Sequence, residues 1–169
     1  MANFSSFISR SQLESVNLNE SANLIALNDS ADFNRRFSSN YKHVFLSHSH
    51  EDKKLAKQLI AFCEKKGISL YVDWQDGELP TTTNVETARK IKEKIRVCDE
   101  FWVLATTNAL NSRWVPWEVG IADQMKGQNI KVIPIKEYDG SHGGHEYLDL
   151  YKNNLGLNTY GNLDYYRWK

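Results

Sequence analysis

"HVFLSHSHEDKKLAKQLIAFCEKKGISLYVDW", residues 43–74, carries two kinds of periodicity in succession. "HVFLS" (43–47) is a short, almost continuous apolar run, as a strand buried on both faces requires. In "HSHEDKKLAKQLIAFCEKKG" the apolar residues Leu55, Leu59, Phe62 and Cys63 recur at helical spacing, and Gly67 supplies a stop. "ISLYVDW" (68–74) is a second apolar run. A strand, a helix and a strand in this order make a parallel pair, because parallel neighbours need a crossover connection.

The same alternation continues downstream. "QDGELPTTTN" (75–84) is a polar loop, longer than the ~2–6 residues usual for such connections. A binding or gating role therefore stands beside the plain reading of a surface connection. "VETARKIKEKIRVC" reads as an amphipathic helix with Ala88, Ile91, Ile95 and Cys98 on one face. "FWVLAT" (101–106) is a third strand, "NSRWVPWEVGIADQMKG" a third helix and "IKVIPI" (130–135) a fourth strand. This pattern predicts an α/β fold, a parallel sheet with helices on both faces. Residues 136–169 are less regular. "EYLDLYKNNLG" suits a short helix, and "LNTYGNLDYYRW" a last edge strand or hairpin turning at Gly161. Upstream, residues 1–40 are rich in Ser and Asn, with scattered apolar residues such as Phe7, Leu13, Leu24, Ile25 and Leu27. Ser21 suits the start of a short helix through about Leu27. The expected organisation is an N-terminal arm over 1–40, partly helical or irregular, packing on the core or on a partner. One domain over 41–169 follows, with its regular core at 41–135.

Composition excludes several classes. The chain has 169 residues, 41% hydrophobic and 25% charged, with a formal net charge of +0. No global basic field exists to attract nucleic acid. No run of 18 apolar residues occurs, so no membrane span is expected. "MANFSSFISR" lacks the apolar core of a signal peptide. Cys63 and Cys98 fall on apolar helix positions without any metal-ligand spacing. They read as reduced core residues, which points to the cytoplasm.

Familiar ligand motifs are missing as well. There is no G-x-G-x-x-G after the first strand, no G-x-x-x-x-G-K-[ST] and no H-E-x-x-H. "HSH" (48–50) has no complementary ligand set elsewhere, so no metal is expected. The plain reading is a loop in which Ser49 caps the next helix, with Glu51 and Asp52 in its first turn. Ligands of open parallel sheets bind outside the carboxyl ends of the strands. Here those ends are "SHSHED", "DWQDG", "TTNALNSRW" and "KEYDG". The third leads into "NSRWVPWEVG" (111–120). Pro116 belongs in a first helical turn, which places the helix start near Ser112, a good N-cap. Glu118 then lies one turn in, near the positive end of the helix dipole, which favours the ionised carboxylate. Trp114, four residues earlier, shares its face. Two readings stand: a carboxylate in an aromatic pocket, or tryptophans packing on the core beside a solvated Glu118.

The combination "VFLSHSHEDK … GISLYVDW … NSRWVPWEVGIAD … IKVIPI" resembles the Toll/interleukin-1 receptor (TIR) domain family, in particular its bacterial branch. The resemblance is carried by the Phe-x-Ser-His strand end before Glu-Asp-Lys, and by Trp-x-x-x-Glu at 114–118. It implies a flavodoxin-like, three-layer fold with a mostly parallel five-stranded sheet. It also implies an enzyme that cleaves NAD+ at the nicotinamide–ribose bond, a glycohydrolase or cyclase, with NAD+ as substrate and no further cofactor. By this resemblance Glu118 matches the essential glutamate and Trp114 the aromatic of its motif. Phe45, Ser47 and His48 match the strand end lining the nucleotide pocket. Asp73, Trp74 and the loop to Asn84 match the BB loop, which gates the site and makes TIR–TIR contacts. Stand-alone bacterial members of this size resemble the sensor-synthase component of the Thoeris antiphage system, whose small-molecule signal reaches a separate effector. The 40-residue arm lies outside the family's common pattern, and "VPW" inside the motif differs from the plant version. Two other functions fit the residues: a catalytically silent assembly adaptor, and a nucleoside 2-deoxyribosyltransferase-like enzyme.

Overall fold

The computed structural model describes residues 7–18, 41–73, 84–142, 146–151, 154–158 and 160–166. Its centre is β2 (Lys42–Ser47), flanked by β3 (Ile68–Tyr71) and β4 (Glu100–Ala105). All three run parallel, with Val44 opposite both Leu70 and Glu100. Beyond β4 come β5 (Ile130–Lys136) and β6 (Asn154–Leu157), both parallel again. The order β3-β2-β4-β5-β6 is that of a flavodoxin-like sheet, in which the first strand of the core sits inside the second.

Alternation along β2 shows why its sequence is so apolar. Val44 and Leu46 enter one core cluster and Phe45 the other. Helices α1 (Arg10–Glu14) and α2 (Lys53–Glu64) cover the first face, through Leu13, Leu55, Leu59, Ile60 and Cys63. Helices α3 (Val85–Val97) and α5 (Val115–Lys126) cover the second, through Ile91, Ile95, Val115, Val119 and Ala122. Between β4 and α5 lies α4 (Thr107–Leu110), a short turn of helix with no periodicity of its own in the sequence. Cys63 and Cys98 are free and buried, and burial pushes both thiols well above their ordinary value. Among the described residues, no helix is long and apolar enough to cross a membrane.

Among the described residues, the parallel run β3-β2-β4-β5-β6 has the five strands expected, and the sheet carries two more. β7 (Leu163–Tyr166) returns antiparallel on β6 through a turn in which Gly161 has φ 72°. Asn158 ties this turn by accepting the backbone N–H groups of Tyr160 and Asn162 at 3.0 Å. The second addition comes from the N-terminal stretch. β1 (Ile8–Ser9) lies parallel to the end of β5, with Ile8 opposite Ile135 and Ser9 opposite Lys136. Two residues are too few to show a strand period, so the sequence pattern carried no sign of it. Ser9 then caps α1 in a capping box with Gln12. The helix suggested from Ser21 to Leu27 lies outside the described residues.

Ile8, 1% exposed, and Leu13, 2%, are thus part of the core. Leu13→Ala should destabilise the protein by ~2–5 kcal/mol, as other buried leucine truncations do. Urea unfolding measures it, and an unchanged midpoint would show that α1 does not rest on α2.

Candidate active site

The polar ends of the strands gather at the carboxyl edge of the sheet, and Glu118 lies among them. Its position follows from local capping. Ser112 Oγ accepts the backbone N–H groups of Trp114 at 3.2 Å and Val115 at 3.3 Å. Pro116 occupies the first turn of α5. The Glu118 N–H then donates to the Trp114 carbonyl at 2.9 Å. The helix runs Val115–Lys126 with Trp114 in the N-cap position, two residues beyond the Ser112 expected from the sequence, and it turns Glu118 inward, 4% exposed. The solvated reading of Glu118 is overturned by that burial.

Ser47, the last residue of β2, donates its hydroxyl to Glu118 Oε2 at 2.5 Å. Burial pushes the Glu118 carboxyl up to about 8, the negative charge of Asp73 pushes the same way, and the Ser47 hydrogen bond opposes both. The ionised form expected from the helix dipole is therefore outweighed. A helix end contributes ~0.3–1 kcal/mol, whereas an ion taken out of water costs several times that. His48, next along the chain, is buried beside the Leu46 carbonyl, its Nδ1 3.3 Å from that oxygen. Burial lowers its pKa, and the charge of Asp73 works against that shift. Asp73, just past β3, thus acts on both groups.

Trp114 and Trp117 meet edge to face, with ring centroids 5.4 Å apart. Together with Asn84, Ala88 and Arg113 they line a cavity of about 530 Å³ between the N-terminal ends of α3 and α5. Asn84 is the N-cap of α3, accepting the Thr87 N–H at 3.0 Å. Glu118 is not among the lining residues. Phe45 is buried, stacked on Phe101 and tilted against Tyr71, both at 5.4 Å. It shares the face of Ser47 two residues on, and supports the site from within the core. Trp74 lies outside the described residues, as does the loop 75–83.

The structure therefore brings together Ser47, His48, Asp73 and Glu118, with Trp114 and Asn84 on an adjoining cavity. Sequence reading gave Ala88 to the core face of α3, but it lines the cavity instead. Arg113 was not singled out, and its only signal is its place beside Trp114. Asp52 was read as a helix-start charge. It is 3% exposed and accepts Thr106 Oγ1 at 2.5 Å and Asn108 Nδ2 at 2.9 Å, which ties the end of β2 to the end of β4. Among the described residues, no group of three or more His, Cys, Asp or Glu side chains is placed to hold a metal ion.

A raised carboxyl pKa has a definite sign for stability. Between about 4.5 and about 8 the unfolded chain has released the Glu118 proton and the folded chain has not. Folding stability contributed by this group is full at low pH and falls as pH rises through that window. Glu118→Gln keeps the shape and removes the titration. It should leave stability near pH 5 unchanged and raise it above pH 8 by roughly 2–4 kcal/mol. Urea unfolding at the two pH values tests this, and equal differences at both would show that Glu118 titrates normally.

The family profile described as TIR domain matches residues 44–160. The chain is 37% identical over 112 residues to a Bacillus cereus (strain MSX-D12) protein named "Probable 3' cyclic ADP-D-ribose synthase ThsB'". That match covers 64% of this chain and 58% of the relative. A Cytobacillus dafuensis protein named as a candidate cyclic ADP-D-ribose synthase, TIR2, is 31% identical over 85 residues, 48% of this chain and 22% of that one. The chain thus spans less than two thirds of either relative's length. Among solved structures, the Clostridium botulinum CMP N-glycosidase BcmB matches at 25% identity and a TM-score of 0.37, over 54% of this chain and 70% of that one.

Proposed function

The chain belongs to the TIR domain family, and from that premise we propose that it cleaves NAD+ at the nicotinamide–ribose bond, with Glu118 as the charge-stabilising residue. The observation that carries this is the buried carboxylate of Glu118 on the Ser47 hydroxyl, one helical turn from a tryptophan-lined cavity. The names of the two relatives support a cyclic ADP-ribose-type product.

The chemistry suits the site. The C1′–N bond breaks with its electron pair on nicotinamide, which leaves neutral. Positive charge develops on the ribose as an oxocarbenium ion. A carboxylate in a water-poor site stabilises that charge far better than one in solvent. NAD+ itself supplies the cause of ionisation, because the cationic nicotinamide beside Glu118 favours its charged form. Trp114 and Trp117 offer faces to the flat rings. The ribosyl cation is then closed by a nucleophile within the same molecule, giving a cyclic product and releasing a proton. Water in that role gives ADP-ribose.

In this reading NAD+ is substrate, no separate cofactor takes part, and the product carries a signal to a separate effector in cytoplasmic, Thoeris-type antiphage defence. Activity depends on self-association through TIR–TIR contacts. An assembly adaptor would release no nicotinamide, and a deoxyribosyltransferase would consume deoxynucleosides. Chromatography and mass spectrometry of incubations with NAD+ and with deoxynucleosides distinguish the three.

Glu118→Gln should slow nicotinamide release by about 100-fold or more, equivalent to ~3 kcal/mol of transition-state stabilisation. Wild-type turnover in this variant would remove Glu118 from the mechanism. Specific activity should also rise with protein concentration while light scattering reports assembly. A constant value from a monomer would end the self-association requirement.

A further inference from the structure

The N-terminal segment ends in a side chain that reaches the site's supporting loops. The register of β1 on β5 puts Arg10 just past Ser9 and Glu137 just past Lys136, side by side at the carboxyl edge of the sheet. Arg10 Nε donates to Glu137 Oε2 at 2.6 Å and its Nη2 to Glu137 Oε1 at 3.0 Å. The same Nη2 lies 3.9 Å from Asp52 Oδ1. Asp52 is buried and spans two loops. Its own loop begins at Ser47. Its partner Thr106 caps α4 by accepting the Ala109 N–H at 3.1 Å, and α4 leads directly to the Ser112 cap of α5. So one carboxylate joins the loop carrying Ser47 to the loop carrying Trp114 and Glu118, and Arg10 supplies its cation.

We infer that Arg10 is a positioning residue for the Glu118 site, holding through Asp52 the two loops that bring Ser47 and Glu118 together. This rests on the reading of Glu118 as the charge-stabilising group. A buried carboxylate is tolerated when its hydrogen bonds and a counter-charge are both supplied. Thr106 and Asn108 supply the first. Arg10 supplies the second from a segment 42 positions earlier in the chain. The fork on Glu137 fixes the guanidinium, so its distance to Asp52 is set by the β1–β5 register and not by a mobile side chain. An error of about an ångström in such a support is enough to cost a large share of the rate.

The test uses the full chain. Arg10→Gln keeps length and polarity and removes the charge. It should lower kcat by roughly tenfold with KM within about twofold, the pattern of misplaced catalytic groups in an intact binding surface. Amide hydrogen exchange should rise over 47–52 and 106–118 as well as over 8–14. Arg10→Lys should recover most of kcat, and Arg10→Gln combined with Asp52→Asn should be no slower than the slower single variant. Ile95→Val, a mild destabilisation on the opposite side of the sheet, should leave kcat unchanged. The inference is overturned by exchange that rises over 8–14 alone with kcat near wild type. It is equally overturned by an Ile95→Val variant that loses as much kcat as Arg10→Gln. Should the wild-type chain release no nicotinamide, the NAD+ reading fails, and exchange at 106–118 still decides whether Arg10 holds the loops.

Discussion

A parallel sheet buried on both faces leaves polar chemistry very few places to go. Every parallel strand here feeds a connection that must climb over the sheet's carboxyl edge, and the faces themselves are closed by apolar side chains on either side. The backbone groups of that edge have no further strand residues to pair with, and side chains such as Ser47, Asp52 and Thr106 collect there. Once burial of both faces is satisfied, the edge is where a reactive carboxylate can be enclosed on one side and still be reached on the other. Capping at the start of α5 sets where Glu118 falls along the helix, and this constraint sets where that helix start must lie.

Enclosure has a chemical cost, and it falls on one group. A carboxylate solvated by water would be ionised at neutral pH but would stabilise a developing cation poorly, since solvent screens it. Glu118 is instead held close to its neutral form, with one hydroxyl donor to favour the charge. That is a poor arrangement for the empty protein and a good one for a site whose ligand brings its own positive charge. On the proposed reading, the instability of the Glu118 ion by itself and its effectiveness beside a cationic substrate have one physical origin, the scarcity of water.

The regular core was legible because its signals are long. β2, α2, β3, α3, β4 and β5 each hold four or more residues of one period, and the structure keeps them within a few residues of their expected ends. Ser112 and Pro116 marked the start of α5, and the contact between Glu118 and the strand end carrying Ser47 was within reach of reasoning about the ligand edge. The depth of Glu118 was not, because burial depends on neighbours far away in sequence, such as Ser47, 71 positions earlier. Asp52 had a satisfying local explanation as a helix-start charge, which concealed its long-range bonds to Thr106 and Asn108. Arg10 had no signal at all. Its segment is compositionally like a loop, and only the register against β5 gives it meaning.

That register bears on how the chain reaches its native state during synthesis. Arg10 and Glu137 are 127 positions apart. At the ~5–20 residues per second of translation, Ile8 waits for roughly 6–25 seconds before Ile135, its strand partner, exists. For that period a side chain that ends fully covered stands beside a nascent sheet still lacking β5. Such long-range pairings are the slow part of folding, since loop closure must precede any gain. A segment made before every strand of the core is therefore among the last to find its place. Completion of β1 on β5 serves as a seal that closes only after β2, β3, β4 and β5 have been made.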